Sequence, residues 1–362
     1  MTELDKARQR INEIDASMAE LFEQRMDAVR SVSAYKKEHG IPVEDTNREE
    51  HIIRKNASLI QNEEYRSHYV KFLRSTIEVS KDMQRRLQDG MRVAYSGVEG
   101  AFANIVAQRI FPDAVTVPHA DFTAAYKAVE SGDCDCVLLP VENSFNGDVG
   151  KVLDLAFFGK LYITGMYEAE IVQNLLGVPG ATVQDVRSVI SHPQALGQCA
   201  DFIKQNDFNT VEAVNTAVAV KQVAEIGRPD IAAIGSVEAG EKFGLIKLEG
   251  HINSGGQNTT RFAVFSRARR QSTPKDTRFS MVFTVNNTAG ALGRAVSVIG
   301  EHGFNLLALK SRPTKDLIWE YYFYAEGEGD LSSEQGKAML ANLKTCCSDV
   351  KVLGSFEKEV RV

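Results

Sequence analysis

Residues 4–35 read LDKARQRINEIDASMAELFEQRMDAVRSVSAY, and apolar or small side chains recur there every three or four residues. That alternation lines the side chains up along one side of a helix. Gly40 and Pro42 end the pattern. The stretch therefore predicts one helix of about 50 Å, at 1.5 Å per residue. Its apolar stripe consists of Leu4, Ala7, Ile11, Ile14, Met18, Leu21, Ala28, Val32 and Tyr35.

Two shorter helical patterns follow, at about residues 47–60 and 64–87. Residues 1–90 are therefore predicted to form an all-α domain. Two short helices cannot cover the whole apolar stripe of the long one. Because burying the stripe against a second copy of the chain is the economical solution, we expect a homodimer. Whether dimers pair into tetramers stays open.

Composition and charge limit the classes of function. The chain has 362 residues, which predicts two or three domains. Its net charge is −6 and its basic residues are scattered, so we expect no nucleic-acid partner and no membrane surface. No apolar run approaches the roughly 20 residues of a membrane span, and residues 1–10 are too polar for a signal peptide. We therefore expect a cytoplasmic protein.

Neither the cysteines nor the glycines indicate a cofactor. The five cysteines show no CxxC pair and no histidine at metal-binding spacing, so neither a metal site nor a disulfide framework is predicted. No GxGxxG motif follows the first predicted strand, and no GxxxxGK[ST] motif occurs. A nucleotide-binding fold therefore lacks its main sequence support.

Polar residues on the apolar faces are the main anomaly of the helical segment. The alternation places Arg25 on the stripe, and Lys36 follows on the same face. Ser80 and Gln84 lie on or beside the apolar face of the third helix. A buried guanidinium needs an anion, because leaving it unpaired is costly. Two interpretations remain open here: a ligand anion, or a local glutamate partner with Ser80 as a tolerated polar residue.

Residues 8–84 resemble the all-helical class of chorismate mutase, at Arg8–Asp15, Glu23–Arg25, Lys36, Asp45–Glu49 and Ser80–Gln84. The resemblance implies that Arg25, Arg48 and Arg8 of the partner subunit hold the two carboxylates of chorismate. It also implies Lys36 and Gln84 at the ether oxygen and Glu49 at the hydroxyl, with Asp45 and Ser80 assisting. A Claisen rearrangement suits such a site, because it requires a held conformer and fixed positive charge, not a nucleophile or a metal.

From Arg92 the chain changes to short β-rich runs that alternate with helical patterns. Residues 91–270 are predicted to form an α/β domain with mainly parallel sheets, long enough for two lobes and a cleft. The predicted strands are 92–96, 136–141, 171–178, 186–191, 210–214, 231–235 and 261–266. Polar clusters at 140–144, 191–199 and 258–262 should collect at one sheet edge. Each cluster alone is explained about as well by a helix cap.

In this order the three clusters resemble prephenate dehydratase, with Thr260-Arg261-Phe262 as the TRF motif of that family. The resemblance implies a two-lobed fold like the type 2 periplasmic binding proteins, with the active site in the cleft. It implies Thr260 at the hydroxyl that leaves prephenate, and Arg261 as an anion anchor. The other implied cleft residues are Glu142, Asn143, Ser144, Ser191, His192, Gln194 and Phe262. Ser96, Val98 and Ala101 stand where the first motif of the family usually has Leu, Pro and Ser or Thr.

Residues 278–362 follow a polar joint and show the order strand, helix, strand, strand, helix, strand, which is the ferredoxin-like α+β order. Residues 290–293 and 310–313 resemble the phenylalanine-binding elements of the ACT domain, with Gly293 and Lys310 departing from the usual GALV and ESRP. The resemblance implies feedback inhibition by phenylalanine, with tyrosine or another amino acid as alternatives. The implied effector residues are Gly290, Ala291, Leu292, Ser311, Arg312 and Pro313.

The resulting hypothesis is a cofactor-free, bifunctional enzyme of phenylalanine biosynthesis. It would convert chorismate to prephenate, and prephenate to phenylpyruvate. One alternative is a dehydratase whose helical segment is only a dimerisation arm; the intact set of Arg8, Arg25, Lys36, Arg48, Glu49 and Gln84 argues against it. Another is a non-catalytic sensor of aromatic metabolites, against which Thr260 beside Arg261 argues. The missing dinucleotide motif disfavours a dehydrogenase fusion.

Overall fold

The computed structural model describes residues 1–255, 258–273, 275–314, 320–358 and 360–362. The chain divides into two compact units, Met1–Met91 and Arg92–Val362. Within the described residues, no helix combines the length and the apolar character that crossing a bilayer requires.

The first unit consists of three helices, α1 (Glu3–Glu38), α2 (Thr46–Ala57) and α3 (Glu63–Asp89). Each helix is preceded by a side chain that accepts a hydrogen bond from a backbone N–H of the first turn, namely Thr2, Asp45 and Asn62. Thr2 and Asp5 form a complete capping box. α1 is therefore the long helix that the apolar alternation predicts.

The core of this unit is small and consists of Ile53 of α2 with Leu73 and Ile77 of α3. Within α1 only Val29 and Ser33 are buried, and the Ser33 hydroxyl donates to the backbone oxygen of Gln84 on α3 at 3.4 Å. The apolar stripe is not covered within one chain. Its large side chains Leu4, Ile11, Ile14, Met18 and Leu21 are 42–63% exposed.

The second unit begins with a first lobe, built on a seven-stranded sheet of order β16-β5-β11-β3-β1-β2, in which β4 also pairs with β3. Its helices are α4 (Phe102–Ile110), α5 (Phe122–Glu130) and α6 (Gly150–Phe158). Its strands are β1 (Arg92–Ser96), β2 (Val115–His119), β3 (Cys136–Asn143), β4 (Gly147–Asp148), β5 (Tyr162–Glu170), β11 (Thr259–Ser266) and β16 (Val360–Arg361).

A second lobe is inserted between β5 and β11 and contains a five-stranded sheet of order β10-β6-β9-β7-β8. Its helices are α7 (Pro193–Gln198), α8 (Ala200–Gln205), α9 (Thr216–Ile226) and α10 (Val237–Phe243), with a 3₁₀ turn at Val183–Asp185. Its strands are β6 (Asn174–Gly177), β7 (Ser188–Ser191), β8 (Asn209–Glu212), β9 (Ile231–Gly235) and β10 (Ile246–Glu249).

The chain crosses between the lobes at residues 171–173, and it returns between β10 and β11. These crossovers are bonded to each other, because Ile171 N donates to Asn258 O at 2.7 Å and Ile252 N donates to Gln173 O at 3.0 Å. Short paired crossovers suit hinge closure of two lobes around a ligand.

Both sheets are mixed, which corrects the expectation of mainly parallel sheets. Parallel pairing joins β1 to β2 and β3, and it joins β7 to β8 and β9. β11, however, lies antiparallel between β3 and β5, and β6 is antiparallel to β9. β1 and β9 coincide with predicted strands, whereas β2, β5 and β10 have no predicted counterpart. Local periodicity does not reveal the pairing direction, since β11 and β3 are more than 100 residues apart.

The C-terminal domain, residues 278–356, shows the predicted strand–helix order. Its elements form an antiparallel sheet of order β13-β14-β12-β15 with two helices. They are β12 (Arg278–Thr284), α11 (Ala291–Glu301), β13 (Asn305–Pro313), β14 (Tyr321–Glu328), α12 (Glu334–Cys346) and β15 (Asp349–Phe356). The fourth predicted element of this domain is a strand over residues 318–325. Its first two residues, 318 and 319, lie outside the described residues.

The two faces of this C-terminal sheet have different partners. One face forms a core with α11 and α12 around Phe279, Phe283 and Ile299. On the other face Tyr322 and Tyr324 share a core with residues of the first lobe. The C-terminal domain and the first lobe are thus packed as one body within the second unit.

Candidate active sites

In the helical unit, Arg25 is held against α3. Its Nη1 donates to Ser80 Oγ and, at 3.5 Å, to the backbone oxygen of Thr76. Ser80 Oγ in turn donates to the Thr76 oxygen at 2.7 Å. These partners are neutral oxygens, and burial lowers the pKa of Arg25. The sequence also allowed a local glutamate as the partner of Arg25. Within the described residues, the hydrogen bonds of Arg25 go to Ser80 and Thr76 instead.

Gln84 lies one turn beyond Ser80 and is also buried. Its Nε2 donates to the backbone oxygen of Ser80 at 3.4 Å, while its Oε1 is buried without a hydrogen-bond partner in the described part of the chain. An unsatisfied buried oxygen is costly unless a ligand or water binds it. Arg25, Ser80 and Gln84 thus form one polar patch on otherwise apolar helix faces.

The other predicted mutase residues lie on α1 and around the start of α2. Lys36 Nζ donates to Val43 O at 2.7 Å. Asp45 caps α2 by accepting from Arg48 N at 3.0 Å, and Glu49 pairs with Lys81 at 3.2 Å. The side chains of Arg8 and Arg48 are exposed.

In the second unit, a cavity of about 440 Å³ lies between the two lobes. Its size suits a small organic ligand. Five of the predicted cleft residues line it, namely Asn143, His192, Gln194, Thr260 and Phe262. Among the described lining residues there is no lysine, arginine or carboxylate.

Thr260 and Asn143 are cross-strand partners on β11 and β3 and are both buried. Asn143 Oδ1 accepts from the backbone N–H groups of Phe145 and Asn146 at 3.1 and 3.0 Å, which orients the amide. Its Nδ2 therefore donates to Thr260 Oγ1 at 2.9 Å and to Asn258 Oδ1 at 2.8 Å. Because the threonine oxygen accepts from this amide, its own proton is left to donate toward the cavity.

Two helices begin at the cavity wall. The N-cap Ala101 of α4 makes no side-chain cap hydrogen bond, which leaves N–H groups of the first turn open. α9 begins at Thr216, and its cap Asn215 satisfies only Val218 N, at 2.8 Å. Helix N-termini carry partial positive charge and favour anions. They are the positive groups that the described cavity wall offers.

Four predicted cleft residues lie away from the cavity lining. Alternation along a strand turns Arg261 and Glu142 to the opposite face of the sheet from Thr260 and Asn143. There the Arg261 guanidinium pairs with Glu142 at 3.1 Å. The remaining two have structural contacts: Ser191 Oγ donates to Ile234 O at 2.7 Å, and Ser144 Oγ accepts from Thr259 N at 2.9 Å.

The cavity also contains polar residues that the sequence did not single out as site residues. Gln173, on the first crossover, is buried and donates through Nε2 to Gln198 Oε1 at 3.4 Å. Gln173 Oε1 and Asn258 Nδ2 are buried without partners in the described part of the chain. The available signal was the polar pair Gln173-Asn174 inside the otherwise apolar run 171–178.

The residues predicted to bind an effector lie at two places in the C-terminal domain. Gly290, with φ +79°, caps α11, and Ala291 and Leu292 begin that helix. Ser311 and Pro313 are exposed on β13. Arg312 instead points to the first lobe and pairs with Asp154 of α6 through Nε at 2.8 Å. The exposed Leu307 and Leu309 lie on the same edge strand.

Comparison with known proteins identifies both units. Family models match at residues 7–85, as chorismate mutase type II, and at residues 93–270, as prephenate dehydratase. A bifunctional chorismate mutase/prephenate dehydratase of Enterobacter agglomerans is 30% identical over 369 residues, which cover 97% of this chain and 95% of that protein. This chain belongs to that bifunctional family.

Solved structures agree with the fold of the dehydratase unit. A prephenate dehydratase from Arthrobacter aurescens, solved in complex with L-Phe, is 25% identical, has a TM-score of 0.68, and matches over 74% of this chain and 90% of its own. A structure titled GqqA, a novel type of quorum quenching acylases, is 28% identical with a TM-score of 0.69, over 74% of this chain and 98% of its own.

As a member of this family, the chain carries two activities of phenylalanine biosynthesis. Its mutase rearranges chorismate to prephenate, and its dehydratase removes carbon dioxide and water from prephenate to give phenylpyruvate. The matched segments assign the mutase to the helical unit and the dehydratase to the two lobes.

Proposed function

We propose that the guanidinium of Arg25 binds a carboxylate of chorismate. The supporting observation is that Arg25 is partly buried and donates to neutral oxygens within the described residues. A dianionic substrate supplies the missing negative charge through charge-assisted hydrogen bonds. Arg48 and Arg8 of the partner subunit complete the binding of the two carboxylates, since both side chains are exposed and available.

The remaining mutase residues act where charge develops in the transition state. The breaking C–O bond accumulates negative charge on the ether oxygen, which fixed donors stabilise. Lys36 and Gln84 take this role, Gln84 through its amide Nε2, which has a second N–H besides the one that donates to Ser80 O at 3.4 Å. Glu49 binds the hydroxyl, while Asp45 and Ser80 hold Arg48 and Arg25 in place.

A cytoplasmic homodimer joined through α1 completes this proposal. Its support is the exposed stripe, in which Leu21 is 63% and Leu4 58% exposed. A run of large apolar side chains along a single helix is typical of an interface. Antiparallel or crossed packing of two such helices would carry Arg8 of one subunit to the site of the other.

In the dehydratase, Thr260 donates to the hydroxyl that leaves prephenate. The Asn143 amide donates to Thr260 Oγ1 at 2.9 Å, which leaves the threonine proton for the substrate. A threonine hydroxyl is a weak acid, so Thr260 orients the leaving group or relays a proton that another group supplies. Phe262 and the apolar part of the wall favour loss of the carboxylate as neutral carbon dioxide.

The substrate carboxylates are bound by the first turns of α4 and α9. The described cavity wall contains neither lysine nor arginine, and both helices begin at this wall. Backbone N–H groups hold an anion without the cost of burying a counter-ion. His192, Gln194 and Gln173 provide further hydrogen bonds.

The C-terminal domain is an ACT domain that binds phenylalanine as a feedback effector. Its ferredoxin-like order, the exposed edge strand β13 and the L-Phe complex of the Arthrobacter dehydratase support this. Gly290, Ala291, Leu292, Ser311 and Pro313 are the contact residues, and Arg312 transmits the change through Asp154. Binding inhibits by favouring one arrangement of the second unit.

A coupled assay without added metal or cofactor tests the whole proposal. It follows chorismate consumption and phenylpyruvate formation, with and without phenylalanine. We expect both reactions, with phenylalanine suppressing the second. If the protein converts supplied prephenate but not chorismate, helices α1–α3 serve only as a dimerisation arm. Isothermal titration that detects no binding of any aromatic amino acid would remove the effector from the proposal.

Thr260→Ala is expected to lower dehydratase kcat by about 100- to 1,000-fold, because one donor to a developing charge is lost. Thr260→Ser retains the hydroxyl and should retain most of the activity. The control is Thr259→Ala, whose side chain alternates to the other side of β11. Mutase activity of the same preparations reports folding; its loss together with dehydratase activity would point to misfolding and not to Thr260 chemistry.

A further inference from the structure

A chain of ion pairs lies directly behind the catalytic strands of the dehydratase. Arg261 donates through Nη1 to Glu142 at 3.1 Å and through Nη2 to Glu326 of the C-terminal sheet at 2.7 Å. The other oxygen of Glu142 accepts from Lys310 of β13 at 3.0 Å. Lys310 also pairs with Asp148, on the short strand β4 beside β3. We call this set of four residues the back network: Lys310, Glu142, Arg261 and Glu326.

Three of the four side chains of this network are well shielded from solvent, and the fourth, Glu142, is 31% exposed. The side chains of Arg261, Lys310 and Glu326 are 17%, 15% and 5% exposed. The second oxygen of Glu326 accepts from the hydroxyl of buried Tyr324 at 2.6 Å. Burial raises the pKa of Glu142, but its bonds to Lys310 and Arg261 outweigh that effect and leave this pKa below its ordinary value. Shielded ion pairs favour one arrangement of their side chains, because separating them leaves a buried charge without a partner.

The network and the catalytic pair alternate on the same two strands. Thr260 pairs across the sheet with Asn143, and the next position pairs Arg261 with Glu142. A register shift follows between Arg261 and Phe262. Such a shift locally disrupts the regular backbone hydrogen bonds between the two strands. The ion pairs therefore lie at the position next to Thr260 and Asn143, on the opposite face of the same two strands.

We propose that the back network is a positioning device for dehydration, through which the C-terminal domain sets the placement of Thr260 and Asn143 toward prephenate. Lys310 supplies the cation that faces Glu142 and Asp148 in this device. The inference rests on the proposed role of Thr260, which Thr260→Ala and Thr260→Ser test separately.

The experiment compares the full-length variants Arg261→Met, Arg261→Lys, Glu326→Gln, Glu142→Gln, Lys310→Glu and the double variant Glu142→Gln/Glu326→Gln. Lys351→Met is the matched control. Lys351 also joins the C-terminal domain to the first lobe, donating to Ala156 O and Gly159 O at 2.8 and 2.6 Å, and within the described residues it makes no hydrogen bond to β3 or β11. Steady-state kcat and KM for prephenate, thermal midpoints and mutase activity are measured for each protein.

We expect Arg261→Met and Glu326→Gln to lower dehydratase kcat by about 10- to 100-fold with KM within about threefold, the scale of a small misplacement of reacting groups. Arg261→Lys should restore part of kcat, and Lys310→Glu should be the most damaging change because it leaves a group of carboxylates together. The double variant Glu142→Gln/Glu326→Gln should lose less dehydratase kcat than the product of the two single-variant losses, since both carboxylates act through Arg261.

Three results would overturn the proposal. Arg261→Met with kcat within twofold of the parent would show that the network does not affect the reaction. A rise in KM at unchanged kcat would make Arg261 a direct substrate anchor. Equal losses of dehydratase kcat in Arg261→Met and Lys351→Met, at equal thermal midpoints, would show that the network only helps to dock the C-terminal domain. Unchanged mutase activity in every variant is the folding control.

Discussion

At the scale of single residues, neighbours in sequence have separate tasks in this enzyme. Thr260 and Arg261 belong to one motif, yet one hydroxyl faces the cavity and the next guanidinium faces the C-terminal sheet. The same division separates Asn143 from Glu142 on the paired strand. Strand alternation makes this unavoidable, since successive side chains point to opposite faces. A motif that looks like one binding element therefore has one residue at the cavity and the next in contact with the C-terminal sheet.

Arg25 provides the residue-scale prediction for the mutase. Arg25→Ala should lower mutase kcat/KM by about 100- to 1,000-fold, because a fixed positive charge at the substrate is removed. The helices should stay folded, as circular dichroism will show, because Arg25 contributes only hydrogen bonds to α3. Arg30→Ala, which removes an exposed arginine of the same helix, is the control. Near-normal turnover by Arg25→Ala would refute the assignment.

At the scale of elements, the C-terminal sheet closes the back of the first lobe. Tyr322 stacks on Phe157 of α6 with ring centroids 4.1 Å apart and donates to Asp154 Oδ1 at 2.8 Å. Lys351 donates to the last carbonyls of the same helix. α6 starts beside Val149, which lines the cavity. The contacts of the C-terminal domain thus reach β3, which carries Asn143, and α6, whose N-cap Val149 lines the cavity.

Two glycines of the C-terminal domain predict opposite effects of the same substitution. A Cβ on Gly354 of β15 would overlap the backbone oxygen of Ile163 in β5, so Gly354→Ala should destabilise by about 1–3 kcal/mol. A Cβ on Gly293, within α11, meets no atom within 4 Å. Gly293→Ala should therefore stabilise by about 0.5–1 kcal/mol, because glycine is costly inside a helix. Urea denaturation followed by circular dichroism measures both. Equal effects would contradict the close approach of β15 to β5.

At the scale of the whole molecule, the two units depend differently on association. The helical unit buries few apolar residues within one chain and leaves its stripe exposed. The lobes and the C-terminal domain have extensive cores of their own. The proposed mutase site needs Arg8 of the partner subunit, whereas the described dehydratase cavity is lined by residues of one chain. Loss of association should therefore affect the first activity more than the second.

Ile14→Glu tests this dependence. A charge in the middle of the stripe, where Ile14 is 46% exposed in one chain, should weaken association through α1. We expect mutase activity per subunit to fall at least tenfold and to depend on protein concentration, while dehydratase activity on supplied prephenate changes less than twofold. Sedimentation velocity reports the association. Val115→Glu, at an exposed position of edge strand β2, is the control. A mutase fully active as a monomer would contradict the shared site.

Much of this protein follows from the sequence by itself. The three-to-four alternation before Gly40 specifies α1, and the strand–helix order after residue 278 specifies the C-terminal domain. Thr260, Asn143, His192, Gln194 and Phe262 could also be named, and they meet at one cavity. These features are local or tied to motifs, because helical and strand periods repeat within a few residues.

The tertiary structure alone decided what depends on distant parts of the chain. β11 returns from the second lobe and lies antiparallel between β3 and β5, a pairing over more than 100 residues that no local period encodes. That placement selects which side chains face the cavity and turns Arg261 toward Glu326. It also brings Lys310 to Glu142, which are 168 positions apart. Ion pairs form between groups that the fold brings together, so their partners cannot be derived from sequence spacing.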